Sequence, residues 1–314
     1  MGETDLKNLI AYLQSFEYGD RECTNLDESL RFGLDMHYQF QNIKDIEKIF
    51  KALNRYYSKS SKDKFEYSYN KNIYNQYLTN NHLIVNTPVF TDTPEFYEEL
   101  EDCLVALKEK EVTLNPNKGV HVHTDLSILE NDNRYLLTLL KIITLYENII
   151  FRFGFGESEK SNINLESFSK AVSPLVFKYI RSFDYTKTFE EHISELQKIL
   201  ICKSYAINFH SKDKKVSNDT IEFRMFNGTF DLTTIQNYVN FVGNMMYQIV
   251  KDHVDIDVLD YSMDTYDVTK YTLDRYGEFD PTGAVELSEI VFDKREDQVR
   301  FLKQYMFKKK KLVI

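Results

Sequence analysis

Tryptophan is absent from this 314-residue chain, cysteine occurs three times, proline five times and glycine ten times. Each shortage excludes something. Cys23, Cys103 and Cys202 are far apart and odd in number, so they form neither a CxxC pair nor a disulfide framework, and a reducing compartment is expected. With so little proline and glycine, long flexible linkers are not expected. No apolar run approaches eighteen residues, so no membrane span is expected. The opening MGETDLKNLIAYLQSFEYGD is acidic and lacks the basic start of a secretory signal; Leu6 stands where a myristoylation context needs Ser or Thr. A cytoplasmic protein is the resulting expectation. Positive charge is short as well. Lys and Arg number 39 against 49 Asp and Glu, and the formal charge of −10 argues against a general nucleic-acid binder. The one basic run, Lys308 to Lys311, reads as a solvated tail.

What is present is the material of a packed domain. Hydrophobic residues make up 42% and charged residues 28%, with 22 Tyr and 23 Phe supplying aromatic bulk. A chain of this length buries a sizeable core without staples. Apolar residues at helical spacing predict helices over Asn42–Tyr57, over Glu166–Ser182 and over Phe189–Leu200. Thr93-Pro94 is a cap and an N1 proline opening a helix to about Lys110, and Asp132 starts a strongly apolar helix to about Phe151. Asp231 opens another to about Lys251, and Glu286–Phe307 reads as a final helix. SKSSKDK at Ser58–Lys64 reads as a loop, and the acidic stretch Asp255–Asp267 as solvated surface. The expected division is an N-terminal helical extension over 1–30, a main domain over 31–252, and a C-terminal helical region with the basic tail over 253–314 packed on that domain.

Three strands carry the chemistry. FGLDMHYQF, from Phe32 to Phe40, alternates strictly, with Phe32, Leu34, Met36, Tyr38 and Phe40 on one face and Gly33, Asp35, His37 and Gln39 on the other. GVHVHTDL, from Gly119 to Leu126, sets Val120, Val122 and Thr124 against His121, His123 and Asp125. TIEFRMF, from Thr220 to Phe226, sets Ile221, Phe223 and Met225 against Thr220, Glu222, Arg224 and Phe226. Further strands are expected at Leu83–Phe90 and Tyr205–His210. If the three lie in one sheet, the apolar faces pack on helices and the other faces form a floor bearing Asp35, His37, His121, His123, Glu222 and Arg224. Carboxylates and imidazoles converging from different strands hold divalent ions. Two histidines at i and i+2 of a strand lie roughly 7 Å apart and point the same way. A guanidinium beside a metal-bound carboxylate suits phosphoryl transfer.

These windows resemble the amidoligase family, a branch of the superfamily that includes glutamine synthetase and glutamate–cysteine ligase. FGLDMHYQF looks like the family's opening FGxExE strand, NTPVF at Asn86–Phe90 like its strand ending in Ser/Thr-Pro, NKGVHVHTDLS at Asn117–Ser127 like its CGxHVHxD element, and TIEFRMFNGTFD at Thr220–Asp231 like its late TIEFRxFxGT strand and turn. Arg152 and the Ala171–Leu175 segment stand where the family has an Arg and a proline-containing helix. The resemblance implies an α+β fold of the glutamine synthetase kind, a mostly antiparallel curved sheet with helices on one face. It implies an ATP- and metal-dependent ligase joining a carboxylate-bearing to an amine-bearing substrate, which for this family includes peptides and proteins. Asp35, His37, His121 and Glu222 would hold metal, His123 would face metal or nucleotide, Arg224 and Glu222 would act in phosphoryl transfer, and Asn227 would help shape the nucleotide rim. The sequence departs from the pattern where Asp35 and His37 replace two glutamates and where His82–Asn86 has no carboxylate. Mg²⁺ is the ion the family implies; the histidines open the choice to Mn²⁺ or Zn²⁺. A non-catalytic binding protein on the same fold, and a metal-dependent hydrolase using His121 and His123, are the competing functions.

Overall fold

A computed structural model describes residues 1–17, 19–40, 66–70, 81–115, 118–155, 169–202, 204–210, 220–268 and 278–307. The helix expected over Asn42–Tyr57, the loop at Ser58–Lys64 and the tail lysines lie outside the described residues.

Strands β1 (Phe32–Phe40), β2 (Glu66–Asn70), β3 (Asn81–Asn86), β4 (Thr113–Leu114), β5 (Val120–Asp125), β6 (Ile207–His210) and β7 (Thr220–Phe226) form one sheet. Its order is β2-β3-β1-β5-β7-β6, with β4 on β1, and the pairings are antiparallel. The period-two reading of β1 holds: Phe32, Leu34, Met36, Tyr38 and Phe40 are buried, while Gly33, Asp35 and Gln39 on the other face are half-buried. In β7 the alternation breaks. The ladder with β5 passes from Val122↔Phe223 to Val120↔Phe226, so a bulge takes up one extra residue of β7. Phe226 therefore leaves the polar face assigned to it and packs edge-on against Phe153 and stacked on Tyr238, in the helix layer.

Helices among the described residues are α1 (Glu3–Ser15), α2 (Pro94–Glu109), α3 (Asn133–Phe155), α4 (Ser173–Arg181), α5 (Phe189–Ile199), α6 (Leu232–Val250), α7 (Ile256–Thr265), α8 (Pro281–Val291) and α9 (Arg295–Phe307). Their starts follow from capping chemistry: Thr93, Thr188, Asp231, Asp255 and Asp280 each accept a first-turn backbone N–H. α3 packs on β7 and α6 on β5, so these two helices cover the apolar face of the sheet. Gly154 is where α3 comes closest: a Cβ there would meet Met225 O at 1.7 Å. One buried cluster runs from Leu13 to Tyr305.

Three expectations change and a fourth is filled in. The N-terminal segment is helical only over Glu3–Ser15; beyond it the described chain is irregular up to β1, with a turn at Glu28–Ser29, Asp92 accepting from the Thr24 and Leu26 amides, and Arg21 donating to Asp297. The helix expected over Glu166–Ser182 starts at Ser173, because Pro174 belongs in a first turn and would clash with the preceding carbonyls of a longer helix. Lys170 instead bridges Tyr205. The single helix expected over Glu286–Phe307 is two, because the chain turns at Phe292 and inserts that ring against Phe241 and Phe301. The acidic stretch after Asp255 lies at the surface as expected, but as the helix α7: Asp257, Asp260 and Asp264 stay exposed, Asp260 and Asp264 pairing with Lys141 and Arg181, while Leu259 and Met263 are buried beneath them.

Candidate active site on the polar face of the sheet

Central strands bring the chemistry together. β1 pairs with β5 so that Asp35 stands opposite His121 and Gly33 opposite His123; β5 pairs with β7 so that His123 stands opposite Glu222. His123 Nε2 lies 3.1 Å from Asp35 Oδ2 and 3.7 Å from Glu222 Oε1. One donor atom from each of Asp35, His123 and Glu222 falls within 4.8 Å of the others. Asp35 and His123 keep 34% and 22% of their side-chain surface open, so the trio faces solvent on one side, while Glu222 is 4% exposed.

Glu222 is the hub. Its Oε1 lies 2.7 Å from Arg224 Nη1 and 2.9 Å from His121 Nδ1, and its Oε2 accepts from Asn208 Nδ2 at 3.1 Å. A buried carboxylate held this way needs no rotation to present itself. Burial pushes the His121 imidazole below its ordinary value, although the Glu222 hydrogen bond and charge pull the other way. A neutral His121 that donates Nδ1–H to Glu222 leaves Nε2 as the lone-pair nitrogen, and that atom is buried with no hydrogen-bond partner among the described residues. His123 goes the other way. Burial disfavours its cation, but the hydrogen bond and charge of Asp35, joined by the charge of Glu222, outweigh burial and raise its pKa.

Beside the trio runs a line of imidazoles. His37 Nε2 is 3.4 Å from His121 Nδ1, and His37 Nδ1 is 2.8 Å from His82 Nε2, with the His37 and His82 rings stacked at 5.0 Å. Burial, then the neighbouring histidines, drive the His37 pKa far down; His82 falls to about 4, chiefly by burial. Lys118 nearby is also lowered, by burial and by Arg224.

The residues read from the sequence therefore divide. Asp35, His37, His121, His123, Glu222 and Arg224 gather on one face. His37 and His121 sit behind the open trio, and His123 stands within it. Asn227 is elsewhere in its contacts: its N–H donates to Gly154 O and its carbonyl accepts from Tyr238 O–H, both on the helix side. Arg152 is likewise a packing residue, donating to Tyr305 O and stacking on Phe279. His82 and Asn208 were missed. His82 shares a face of β3 with Ile84 and Asn86, opposite the buried Leu83 and Val85, and Asn208 lies on the face of β6 opposite Ile207 and Phe209; period two was the available signal in both.

The fold and this floor define a class: an α+β protein with carboxylate, imidazole and guanidinium groups from separate strands on one face of an antiparallel sheet. A family model described as "Putative amidoligase enzyme" matches residues 48–246, and the chain belongs to that family. The match includes β5 and β7 and begins after β1, so Asp35 and His37 lie outside it. No curated protein matches the chain. No helix among the described residues is long and apolar enough to cross a membrane.

Proposed function

We propose that this chain is an ATP- and divalent-metal-dependent carboxylate–amine ligase with the glutamine synthetase-like fold. The observation that carries the reading is the convergence of Asp35, His123 and Glu222 within 4.8 Å, with Arg224 against Glu222. Donors around one ion at roughly 2.0–2.3 Å lie about 3–4.3 Å apart, so small side-chain rotations close this set. The residues fit a divalent ion, and Asp35, His123 and Glu222 would hold it; when bound, it neutralises and orients phosphate oxygens.

The remaining groups act directly. A substrate carboxylate oxygen attacks the γ-phosphorus of ATP, ADP leaves, and an acyl phosphate forms. The amine nitrogen then attacks the acyl carbon, phosphate leaves, and the nitrogen gives up a proton. Arg224 supplies fixed positive charge beside the transferring phosphoryl group, in a half-buried place where charge acts strongly. His121 and Asn208 keep Glu222 in one orientation, which spares reorganisation during the reaction. The substrates are an amine and a carboxylate, in this family's manner including those of peptides and proteins.

The test is ADP release with ATP, each of Mg²⁺, Mn²⁺ and Zn²⁺, and a panel of amines and carboxylates including peptides. Arg224→Ala should keep the fold by circular dichroism and lose at least about 100-fold in turnover. Turnover by folded Arg224→Ala at the parent rate overturns the assignment.

A further inference from the structure

We infer that the groove between α2 and the start of α6 is an intramolecular docking site for the lysine-rich segment Lys308–Ile314, with the lysines on a carboxylate rim and Leu312, Val313 and Ile314 on an apolar floor. The groove lies on the helix side of the sheet, away from the polar face, so the inference stands whether or not the chain is a ligase.

The groove encloses about 930 Å³. One wall is α2, another is the turn Thr229–Leu232 that leads from β7 into α6, and a third is the segment 20–22. Its floor is Val105, Leu114, Phe230 and Leu232. Val105 is 43% exposed, and the Phe230 ring is held by stacking on Tyr38 at 4.8 Å. Apolar surface left open in this way gains from being covered. Its rim is Asp20, Glu22, Glu98 and Glu101, all exposed, and none of them pairs with another described residue. Glu98, Glu101 and Val105 follow at helical spacing on one face of α2, so rim and floor lie side by side. Two cations line the groove as well. Arg21 is engaged by Asp297 and Asn237, and Lys108 lies over the Phe230 ring at 5.9 Å. The four carboxylates therefore remain uncompensated beside an open apolar floor, which suits a ligand carrying several cations next to apolar side chains.

The chain itself supplies that ligand. Lys308–Lys311 are consecutive cations, and Leu312, Val313 and Ile314 follow them directly; these residues lie outside the described ones. α9 ends at Phe307, close to the groove: Phe307 and Thr233 line one small cavity, and Thr233 also lines the groove. Seven residues reach about 23 Å when extended. The stretch of α2 from Glu98 to Val105 is about 10 Å long, so the segment spans it. Each exposed ion pair contributes little and is screened by salt. Tethering makes up the difference. A short flexible connection sets an effective concentration in the millimolar range, so a contact too weak to hold a free peptide is populated within the chain. Docked there, the segment rests on Phe230 and braces the turn after β7, where Tyr38 of β1 donates its O–H to Thr229 O at 3.2 Å.

Two measurements on the full chain test it. The first treats the protein at low salt with a carbodiimide, which joins a lysine amine to a carboxylate in contact with it, and maps the products by mass spectrometry. Amides from Lys308–Lys311 to Asp20, Glu22, Glu98 or Glu101 are expected, with a yield that falls at least about fivefold in high salt. In a mixture of isotope-labelled and unlabelled protein, each cross-linked pair should carry one label throughout. Pairs of mixed label would show a second copy in the groove and overturn the intramolecular docking. The second measurement uses the absence of tryptophan from the chain: Val313→Trp creates a single fluorescent reporter. Its emission should be blue-shifted from that of the free peptide of the same sequence. It should return to the peptide's wavelength when Glu98→Lys and Glu101→Lys are added, two exposed positions whose substitution leaves circular dichroism unchanged. A reporter that emits like the free peptide without those charge reversals overturns the inference. So does a shielded reporter that the reversals leave unmoved, or a cross-link map in which these lysines reach none of the four carboxylates.

Discussion

Glu222 meets His121 across the β5–β7 ladder at 2.9 Å, with 4% and 3% of their side chains exposed. Both side chains are almost fully buried, so the polar atoms that face each other, His121 Nδ1 and Glu222 Oε1, depend on this contact. Glu222 also sits against Arg224 and Asn208, which makes its carboxylate the shared acceptor of three side chains. Removing the acceptor strands the donors rather than deleting one bond.

Glu222→Ala should therefore destabilise the fold by about 3–5 kcal/mol, the range for removing one partner of a buried ion pair. Glu222→Gln keeps the shape and one acceptor oxygen, and should cost clearly less while still abolishing ATP turnover. Urea unfolding followed by circular dichroism measures both. Equal stability of the two variants would show that the carboxylate's charge and hydrogen bonds are not what the surrounding donors require.

Three glycines give a graded test of packing. A Cβ at Gly154 would stand 1.7 Å from Met225 O, and one at Gly119 would stand 1.8 Å from Phe226 O, both backbone atoms beside the β7 bulge. Neither oxygen can move without shifting the strand that carries Glu222 and Arg224. Gly154→Ala and Gly119→Ala should each destabilise by about 3 kcal/mol or more. At Gly33 the nearest atom is His123 Cβ at 3.8 Å, so Gly33→Ala should be tolerated, within about 1 kcal/mol of the parent. Thermal melts of the three variants check the order; a Gly33→Ala loss equal to the others would contradict it.

Much of this floor was legible because strand alternation is local. Asp35, His123 and Glu222 were placed on polar faces by period two alone, and the antiparallel sheet then aligned them. What alternation cannot show is pairing. Whether His37 or His123 joins the two carboxylates depends on which strand lies beside which and on the bulge near Arg224, and these are long-range facts. Phe226 failed for the same reason: one extra residue in β7 moves it across the sheet. His82 is the one titratable group in β3, NHLIVN, and nothing local to that strand ties it to the distant His37 that it meets at 2.8 Å. The split between α8 and α9 has no glycine or proline to announce it; the packing of Phe292 against Phe241 and Phe301 decides it.

Glu147 makes a helix cap from a distance. Val172, at the start of α4, has no capping side chain of its own. The fully buried Glu147 on α3 takes that place: Oε1 accepts from Val172 N at 2.7 Å, and Oε2 accepts from Ser173 N at 3.0 Å and from the Ser173 hydroxyl. A carboxylate there answers both the unpaired amides and the positive end of the helix dipole. Glu147→Ala should cost about 2–4 kcal/mol and speed amide hydrogen exchange over residues 172–176 first. The neighbouring bridge from Lys170 to Tyr205 should loosen next, since it hangs from the same segment. Exchange protection at Val172 and Ser173 unchanged in Glu147→Ala would mean the cap is not what orders this start.

Alkaline pH should find the chain's weakness through its tyrosines. Tyr146 and Tyr305 are pushed up to about 12, and Tyr38, Tyr97 and Tyr238 are raised too, in every case first by burial. In the unfolded chain these phenols ionise near pH 10. A raised folded pKa means that the native protein holds protons the unfolded chain has released. Their contribution to stability is complete below about pH 10 and is lost as pH climbs toward and past 12. Phenolate absorbance should therefore rise in two stages. The first stage should be reversible and should leave circular dichroism intact. The buried rings should ionise only together with loss of helical signal, because Tyr238 also donates to Gly154 O and Tyr38 to Thr229 O, and ionising either removes the donor. If all 22 tyrosines titrated reversibly in one step near pH 10 while the helical signal held, the core around β7, α3 and α6 would not be packed as described.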